Sequence, residues 1–378
     1  MAFYGGAETL IAKLTNYLSS NDIEVAIATL SLAPEISEIF KGIKVITPNQ
    51  HYAYELRSTG LLNALGTLKE LLALRNLIKS NISGFDVLNV HNFPATWATF
   101  PNLWRKPIVW MCNEPPDLWN NQNPSLLLKI IMKLVFFFDR LIVNKGIDEI
   151  CVSDEFNCNR VVERYNRHPN IMNYGIEYDL FSKSTGKNIL KKYELDEHFV
   201  LLHVGVLSPQ KNQLYSIKLV QNLKSEIPNI KLVLAGLGGN PYEKMLKEYI
   251  LKNRLDNHVL FTGHLSKEEI ADFYQTCDVA IFPTKSQGGW LSPFEALCAG
   301  KPIVVSPRMT ASSIIERENI GVVTDDFTKA VLDIYKNPRR YYEMAECGRK
   351  WVKENLNWDS FCKKMVEIFY KYVPHELD

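Results

Sequence analysis

Five short runs in the second half of this 378-residue chain stop at a turn residue: FVLLHVG (199–205), KLVLAG (231–236), HVLFTG (258–263), VAIFP (279–283) and PIVVS (302–306). They are aliphatic and rich in β-branched residues, as strands covered on both faces must be, and longer helical periods separate them. A parallel sheet with helices on both sides satisfies that pattern, and its ligand loops follow the strand C-terminal ends. The first half repeats the pattern with IEVAIAT, KVIT, DVLNV, PIVWM, EICVS and NIMNY, interleaved with amphipathic stretches such as Ala7 to Ser20, Leu61 to Lys79 and Ser125 to Val143. The expectation is an α/β protein with two Rossmann-like, doubly wound parallel sheets.

A chain of this length exceeds one compact core and suits two domains. The first is read over 1–178 and the second over 188–358. The polar, turn-rich YDLFSKSTGKN (178–188) serves as linker, and the helix-like segment 359–378 crosses back to the first domain. A doubly wound sheet opens with a strand before its first glycine loop, yet only Met1 to Tyr4 precede Gly5 here. The reading is that a central strand is absent or very short.

Forty-three basic and 42 acidic residues leave a formal charge of +1, so no overall field recruits nucleic acid. The seven cysteines are scattered without a C-x-x-C pair, which reads as reduced thiols in a cytoplasmic protein. The eight histidines form no H-x-x-x-H or Cys/His cluster, so no metal site is expected. No secretory signal pattern opens the chain. The longest apolar stretch, Leu126 to Val143, is broken by Lys129, Lys133, Asp139 and Arg140 and cannot comfortably span a bilayer. Two readings of it stand: a buried helix of the first sheet, or a helix that rests peripherally on the cytoplasmic leaflet.

The candidate chemistry lies in the turns. Gly5 and Gly6 precede a helix, so backbone amides there can approach a phosphate or sugar hydroxyl. In HVGVLSPQKN, Gly205 ends a strand and Lys211 opens a helix, a position suited to a cation over a diphosphate or to a solvated first-turn lysine. LAGLGGN lacks the third glycine of a dinucleotide fingerprint, which excludes a nicotinamide site of that kind. His91 ends the strand of VLNVHNF. Asn113 and Glu114 sit in WMCNEPPDLW, whose stiff aromatic and polar composition suits a carbohydrate or a structural corner. In SQGGWLSPFEALCAGKP, Ser292, Pro293 and Glu295 read as a capping box, with Gly300 and Pro302 as stop signals. That capping pattern leaves Gln287, Gly288, Gly289 and Trp290 unexplained.

Taken in order, GGAE, the strand ending in His91, SDEFN, NYGIEYDLF, GVLSPQKN, FTGHLS and PTKSQGGWLSPFEALCAGKPIVVS resemble the retaining family-4 (group 1) glycosyltransferases of GT-B fold, most strongly from Gly205 to Ser306. The resemblance implies two Rossmann-like domains across a cleft, the second holding a nucleotide-sugar and the first its acceptor. Lys211 matches the diphosphate-binding lysine, Glu295 the ribose-binding carboxylate, and His91 a histidine near the donor sugar. Gly5 and Gly6 match the glycine loop facing the phosphates. Gly205, Leu265, Gln287 and the loop Gly288, Gly289, Trp290, Leu291 and Ser292 complete the donor positions, and Asn113 and Glu114 fall on the acceptor side. His91, Lys211 and Gln287 are the catalytic candidates.

Four departures accompany the match. Gln287 stands where the family usually has glutamate, Val206 where it often has arginine, Gly289-Trp290 in place of Phe-Gly, and Glu177 in place of an aspartate. Gln287 can still donate to and accept from hydroxyls, whereas Val206 removes a charge-assisted diphosphate contact. With no D-x-D pair, the resemblance implies a metal-independent hexosyltransferase with no cofactor, using a GDP- or UDP-linked sugar. Its acceptor would be a glycan or lipid-linked hydroxyl. The CNEPP loop favours mannose. The rival readings are a non-catalytic nucleotide-sugar or partner-binding relative and a GT-B sugar-nucleotide epimerase.

Overall fold

The computed structural model describes residues 6–48, 61–113, 126–239, 241–285 and 290–373. The chain divides into two units. Unit 1 comprises 1–175 and 358–378, and unit 2 comprises 176–357.

Unit 1 opens with helix α1 (Gly6–Ser20), then β1 (Ala26–Ala28), α2 (Pro34–Ser37), β2 (Lys44–Ile46) and α3 (Leu61–Asn81). It continues through β3 (Leu88–His91), α4 (Ala95–Ala98), β4 (Ile108–Met111), α5 (Leu126–Gly146), β5 (Glu149–Val152), α6 (Glu155–Tyr165) and β6 (Asn170–Ile171). Strands β3-β4-β5-β6 form a parallel sheet in that order, with Leu88 opposite Ile108 and Trp110 opposite Ile150, while β1 and β2 pair in parallel separately. Because parallel strands are covered on both faces, β4 is fully buried from Ile108 to Met111. Whether a strand precedes Gly5 falls on residues outside those described.

Unit 2 runs α7 (Tyr178–Lys183), α8 (Lys187–Tyr193), β7 (Phe199–Val204), α9 (Gln213–Leu223), β8 (Ile230–Ala235), α10 (Pro241–Lys252), β9 (Val259–Gly263), α11 (Lys267–Thr276), β10 (Val279–Phe282) and α12 (Ser292–Cys298). There follow β11 (Ile303–Val305), α13 (Ser312–Arg317), β12 (Val322–Val323), α14 (Phe327–Lys336) and α15 (Pro338–Asn355). Its parallel sheet has the order β12-β11-β10-β7-β8-β9. Both units are thus parallel sheets with flanking helices. The final helix, α16 (Trp358–Tyr370), belongs to unit 1, where Phe361 and Met365 join Leu10, Leu14 and Met111 in one apolar cluster.

The stretch 178–188, read from its polarity as a linker, is an ordered part of unit 2. Ser184 donates to Asp272, Gly186 N–H donates to the same carboxylate at 3.3 Å, and Gln275 Nε2 donates to the Phe181 carbonyl at 2.7 Å. Ser184 stands at the end of α7 and Gly186 at the start of α8, so the stretch joins two short helices.

Helix α5 turns Asp139 inward. Asp139 is fully buried and accepts from Trp97 Nε1 at 2.9 Å, Tyr165 Oη at 2.9 Å and Arg164 Nη2 at 2.7 Å. Leu126, Ile130, Leu134, Phe137 and Leu141, spaced by three and four residues, form an outward stripe flanked by Ile131 and Phe138. Phe137 is 61% exposed and Phe138 55%. The reading of α5 as a buried core helix therefore fails for its apolar face. Among the described residues, no helix is long and apolar enough to cross a membrane.

Candidate functional site

In unit 2 the chain steps outward from β7 to β8 and β9, then returns to the other side of β7 with β10. The loops that leave β7 and β10 therefore diverge, and α/β sheets take ligands at such a point. Gly205 closes β7 at φ +150°, a backbone setting that side chains rarely adopt, and the Lys211 stem lies over it. A Cβ at Gly236, closing β8, would fall 2.1 Å from the Gly205 carbonyl oxygen, so glycine is required where the two turns meet.

The loop carrying Lys211 is tightly held. Gln213, fully buried, accepts from Ser208 N–H at 3.2 Å and donates to the Val206 carbonyl at 3.1 Å. Three further bonds tie the loop to the end of β10. Asn212 Nδ2 donates to the Pro283 carbonyl at 3.0 Å, and Thr284 Oγ1 and Lys285 N–H donate to the Gln210 carbonyl at 3.1 and 2.9 Å. Beneath them a cavity of about 10 Å³, the size of one water, is lined by His203, Lys211, Thr284 and Ser292 among others. His203 pairs with Ser216 at 2.8 Å, and burial, then the charge of Lys211, lowers it to about 3, so it stays neutral.

Ser292 and Glu295 do not form the capping box that their spacing suggests. Helix α12 has Leu291, in αR geometry, at its cap and no side-chain cap bond. Ser292 already lies within the helix, which puts Glu295 at the fourth helical position, beyond capping reach. A capping box does occur at Ser266 and Glu269. Glu295 is half-buried and raised to about 7, first by burial, with Lys267 opposing and Glu177 adding to the rise. Leu265 and Trp290 are buried, and the Trp290 ring packs 4.9 Å from that of Phe294, anchoring its end of the loop in the core. Gly300 ends α12 at φ +69°. Gln287, Gly288 and Gly289 lie outside the described residues.

In unit 1 the strand ends gather a second polar group. His91 Nε2 lies 2.7 Å from Asn89 Oδ1, which accepts and so fixes the proton on Nε2. Nδ1 is left as a buried acceptor with no partner among the described residues, and burial lowers His91 to about 4. Asn113 donates to Asn92 and accepts from the Tyr174 hydroxyl, and its carbonyl accepts from Asn157 Nδ2 at 3.2 Å. Gly6 begins α1, while Gly5 and Glu114 lie outside the described residues. Sequence reasoning missed Asn157 and Tyr174. It also missed His203, which alternation along FVLLHVG hides among aliphatic neighbours.

The model for glycosyl transferases group 1 matches residues 187–351, and that for glycosyltransferase family 4 matches residues 4–156. The chain belongs to the GT-B glycosyltransferases. This glycosyltransferase is 26% identical over 208 residues to a GDP-mannose-dependent alpha-(1-6)-phosphatidylinositol monomannoside mannosyltransferase of Mycolicibacterium smegmatis, covering 51% of the chain and 54% of that relative. The match thus spans about half the length of the curated relative. The fold is that of Anabaena Alr3699/HepE, solved in complex with UDP (TM-score 0.79, 16% identity, 98% of each chain) and with UDP-glucose (TM-score 0.76, 16% identity, 98% of this chain and 97% of that one). No group of three or more metal-ligating side chains occurs among the described residues.

Proposed function

We propose that the protein is a retaining hexosyltransferase that moves mannose from GDP-mannose to a hydroxyl of a lipid-linked or polysaccharide glycan. The observation that carries this reading is Lys211, held at the β7/β10 divergence where a departing diphosphate would develop its charge. Glu295 grips the ribose hydroxyls, Gln287 the hexose, and His91 Nδ1 accepts from a sugar hydroxyl. The bond from the anomeric carbon to the diphosphate breaks as the acceptor oxygen joins the same face. The departing phosphate takes the acceptor's proton. The GDP-mannose dependence named for the mycobacterial relative, together with the CNEPP loop, supports mannose. HepE with UDP-glucose defines the competing donor.

Thermal melting with GDP, UDP and ADP tests the donor class, since a ligand at about 100 times its dissociation constant adds about 2.7 kcal/mol. Stabilisation by GDP, and transfer of label from GDP-mannose, are expected. Failure of every nucleoside diphosphate to stabilise the protein sinks the reading.

The same reading places the protein peripherally on the cytoplasmic leaflet. Support comes from α5, whose outward apolar stripe is edged by exposed Lys129, Lys133 and Arg140, while Asp139, the acid within the helix, is buried. Apolar contact and attraction to anionic headgroups act together on such a face. Flotation with vesicles containing phosphatidylglycerol decides it. Wild-type protein should float and a Phe137→Ser/Phe138→Ser variant should not. Wild-type protein left in the soluble fraction at low salt removes the membrane role.

A further inference from the structure

Lys285 follows β10 by three residues, on the strand that lies beside β7 where the sheet order reverses. Its backbone N–H donates to the carbonyl of Gln210, the residue before Lys211, at 2.9 Å. Two lysines therefore leave from touching backbones at the divergence of two loops. Thr284 and Asn212 clamp the same junction, so the spacing of the two backbones is fixed rather than adjustable.

The surrounding charges make this pair distinctive. Arg308, at the end of the neighbouring β11, is engaged by Asp325. His203 below is neutral. Val206, at the end of β7, is exposed and uncharged where similar chains often carry arginine. Lys285 is exposed and has no ion pair with any described residue. Two ammonium groups carried on adjoining loops repel one another where they approach, and an anion of more than one charge held between them relieves that repulsion. A nucleoside diphosphate carries about one more negative charge than its monophosphate and spreads it over two phosphoryl groups, so a second cation counts for more on the diphosphate.

We propose that Lys285 is the second cation of a diphosphate cradle, supplying from the β10 loop the charge that Val206 does not supply from the β7 loop. The proposal rests on the nucleotide-sugar reading above and deepens it. It makes Lys285 a residue that separates diphosphate from monophosphate ligands.

Titration calorimetry on the full chain with GDP, GMP, UDP and UMP tests it, using Lys285→Ala, Lys285→Arg, Lys211→Ala and the double variant Lys285→Ala/Val206→Arg. Lys285→Ala should weaken the diphosphate that binds about tenfold, equivalent to about 1.4 kcal/mol, and its monophosphate less than twofold. Lys285→Arg should bind like wild type. Arginine at 206 should recover most of the loss, which a merely structural lysine would not allow. Lys285→Ala binding diphosphate within twofold of wild type, while Lys211→Ala loses it, overturns the cradle and leaves the nucleotide-sugar reading intact. Equal losses of diphosphate and monophosphate overturn the cradle as well. Wild-type protein that binds no nucleoside diphosphate overturns both.

Discussion

Lys267 Nζ stands 2.9 Å from Glu177 Oε2, and these two charges act in opposite senses on Glu295. Burial raises Glu295 to about 7, so the folded protein holds this proton over a range in which the unfolded chain has released it. Stability contributed by the group is therefore full below the ordinary carboxylate value and falls as pH rises toward about 7. Glu295→Gln should flatten that part of the melting-temperature profile between about pH 5 and pH 7. An unchanged slope would assign the titration to another group. Ribose hydroxyls are better held by the ionised carboxylate, so wild-type affinity for the bound nucleoside diphosphate should rise from about pH 6 to pH 8. Lys267→Met should move that rise to higher pH, since it removes the charge that favours ionisation.

His91→Ala is expected to lower turnover at least tenfold while nucleoside diphosphate affinity stays within twofold, because the Nδ1 acceptor would meet the sugar and not the nucleotide. With His91 lowered to about 4, it contributes no pH limb between about pH 5 and 8. Steady-state kinetics beside equilibrium binding checks both statements. A matching loss of turnover and diphosphate binding would place His91 elsewhere in the reaction.

Gly236→Ala drives a methyl group onto the Gly205 carbonyl, 2.1 Å away, and neither partner is a flexible side chain. The cost should be about 1–3 kcal/mol in urea denaturation, as for other overpacked sites. Nucleotide affinity should fall with it, since the displaced turn carries Lys211. A variant as stable as wild type would mean that the β7 and β8 turns can separate without strain.

Asp139→Ala leaves Arg164 without its buried partner and strands the Trp97 and Tyr165 donors. The expected loss is about 3–5 kcal/mol, the range for breaking one side of a buried pair. Denaturation of Asp139→Asn beside it separates charge from shape, and Asn should lose less. A cost below about 1 kcal/mol in both variants would show that α5 is held by its apolar inner edge alone.

Most of the unit 2 sheet was legible because buried parallel strands must be aliphatic and must end in turns: each of the five runs from FVLLHVG to PIVVS matches a strand to within a residue or two, while the two-residue β12 is too short to leave such a run. Ser292 and Glu295 show where local pattern misleads. Their spacing satisfies a capping box, but the helix starts one residue early and Glu295 lies beyond capping reach, beside the field of Lys267. Polarity likewise misread 178–188, because serine and glycine serve a helix end as readily as a linker. The direction in which α5 faces could not be read from its composition. An apolar helix with one buried acid and one with an exposed acid share the same sequence pattern, and only Trp97, Arg164 and Tyr165, distant in the chain, decide between them.

The inward pin at Asp139 divides α5 into two sets of positions with separate duties. Substitutions among Ile130, Leu134, Phe137 and Leu141 leave the Asp139 network untouched, so the outward face can be altered in a chain that still folds. Changes around Asp139 reach the fold before they reach the surface. Under the peripheral-membrane proposal, such a chain gains or loses adhesion by altering one side of a single helix, without touching the network that holds the helix in place.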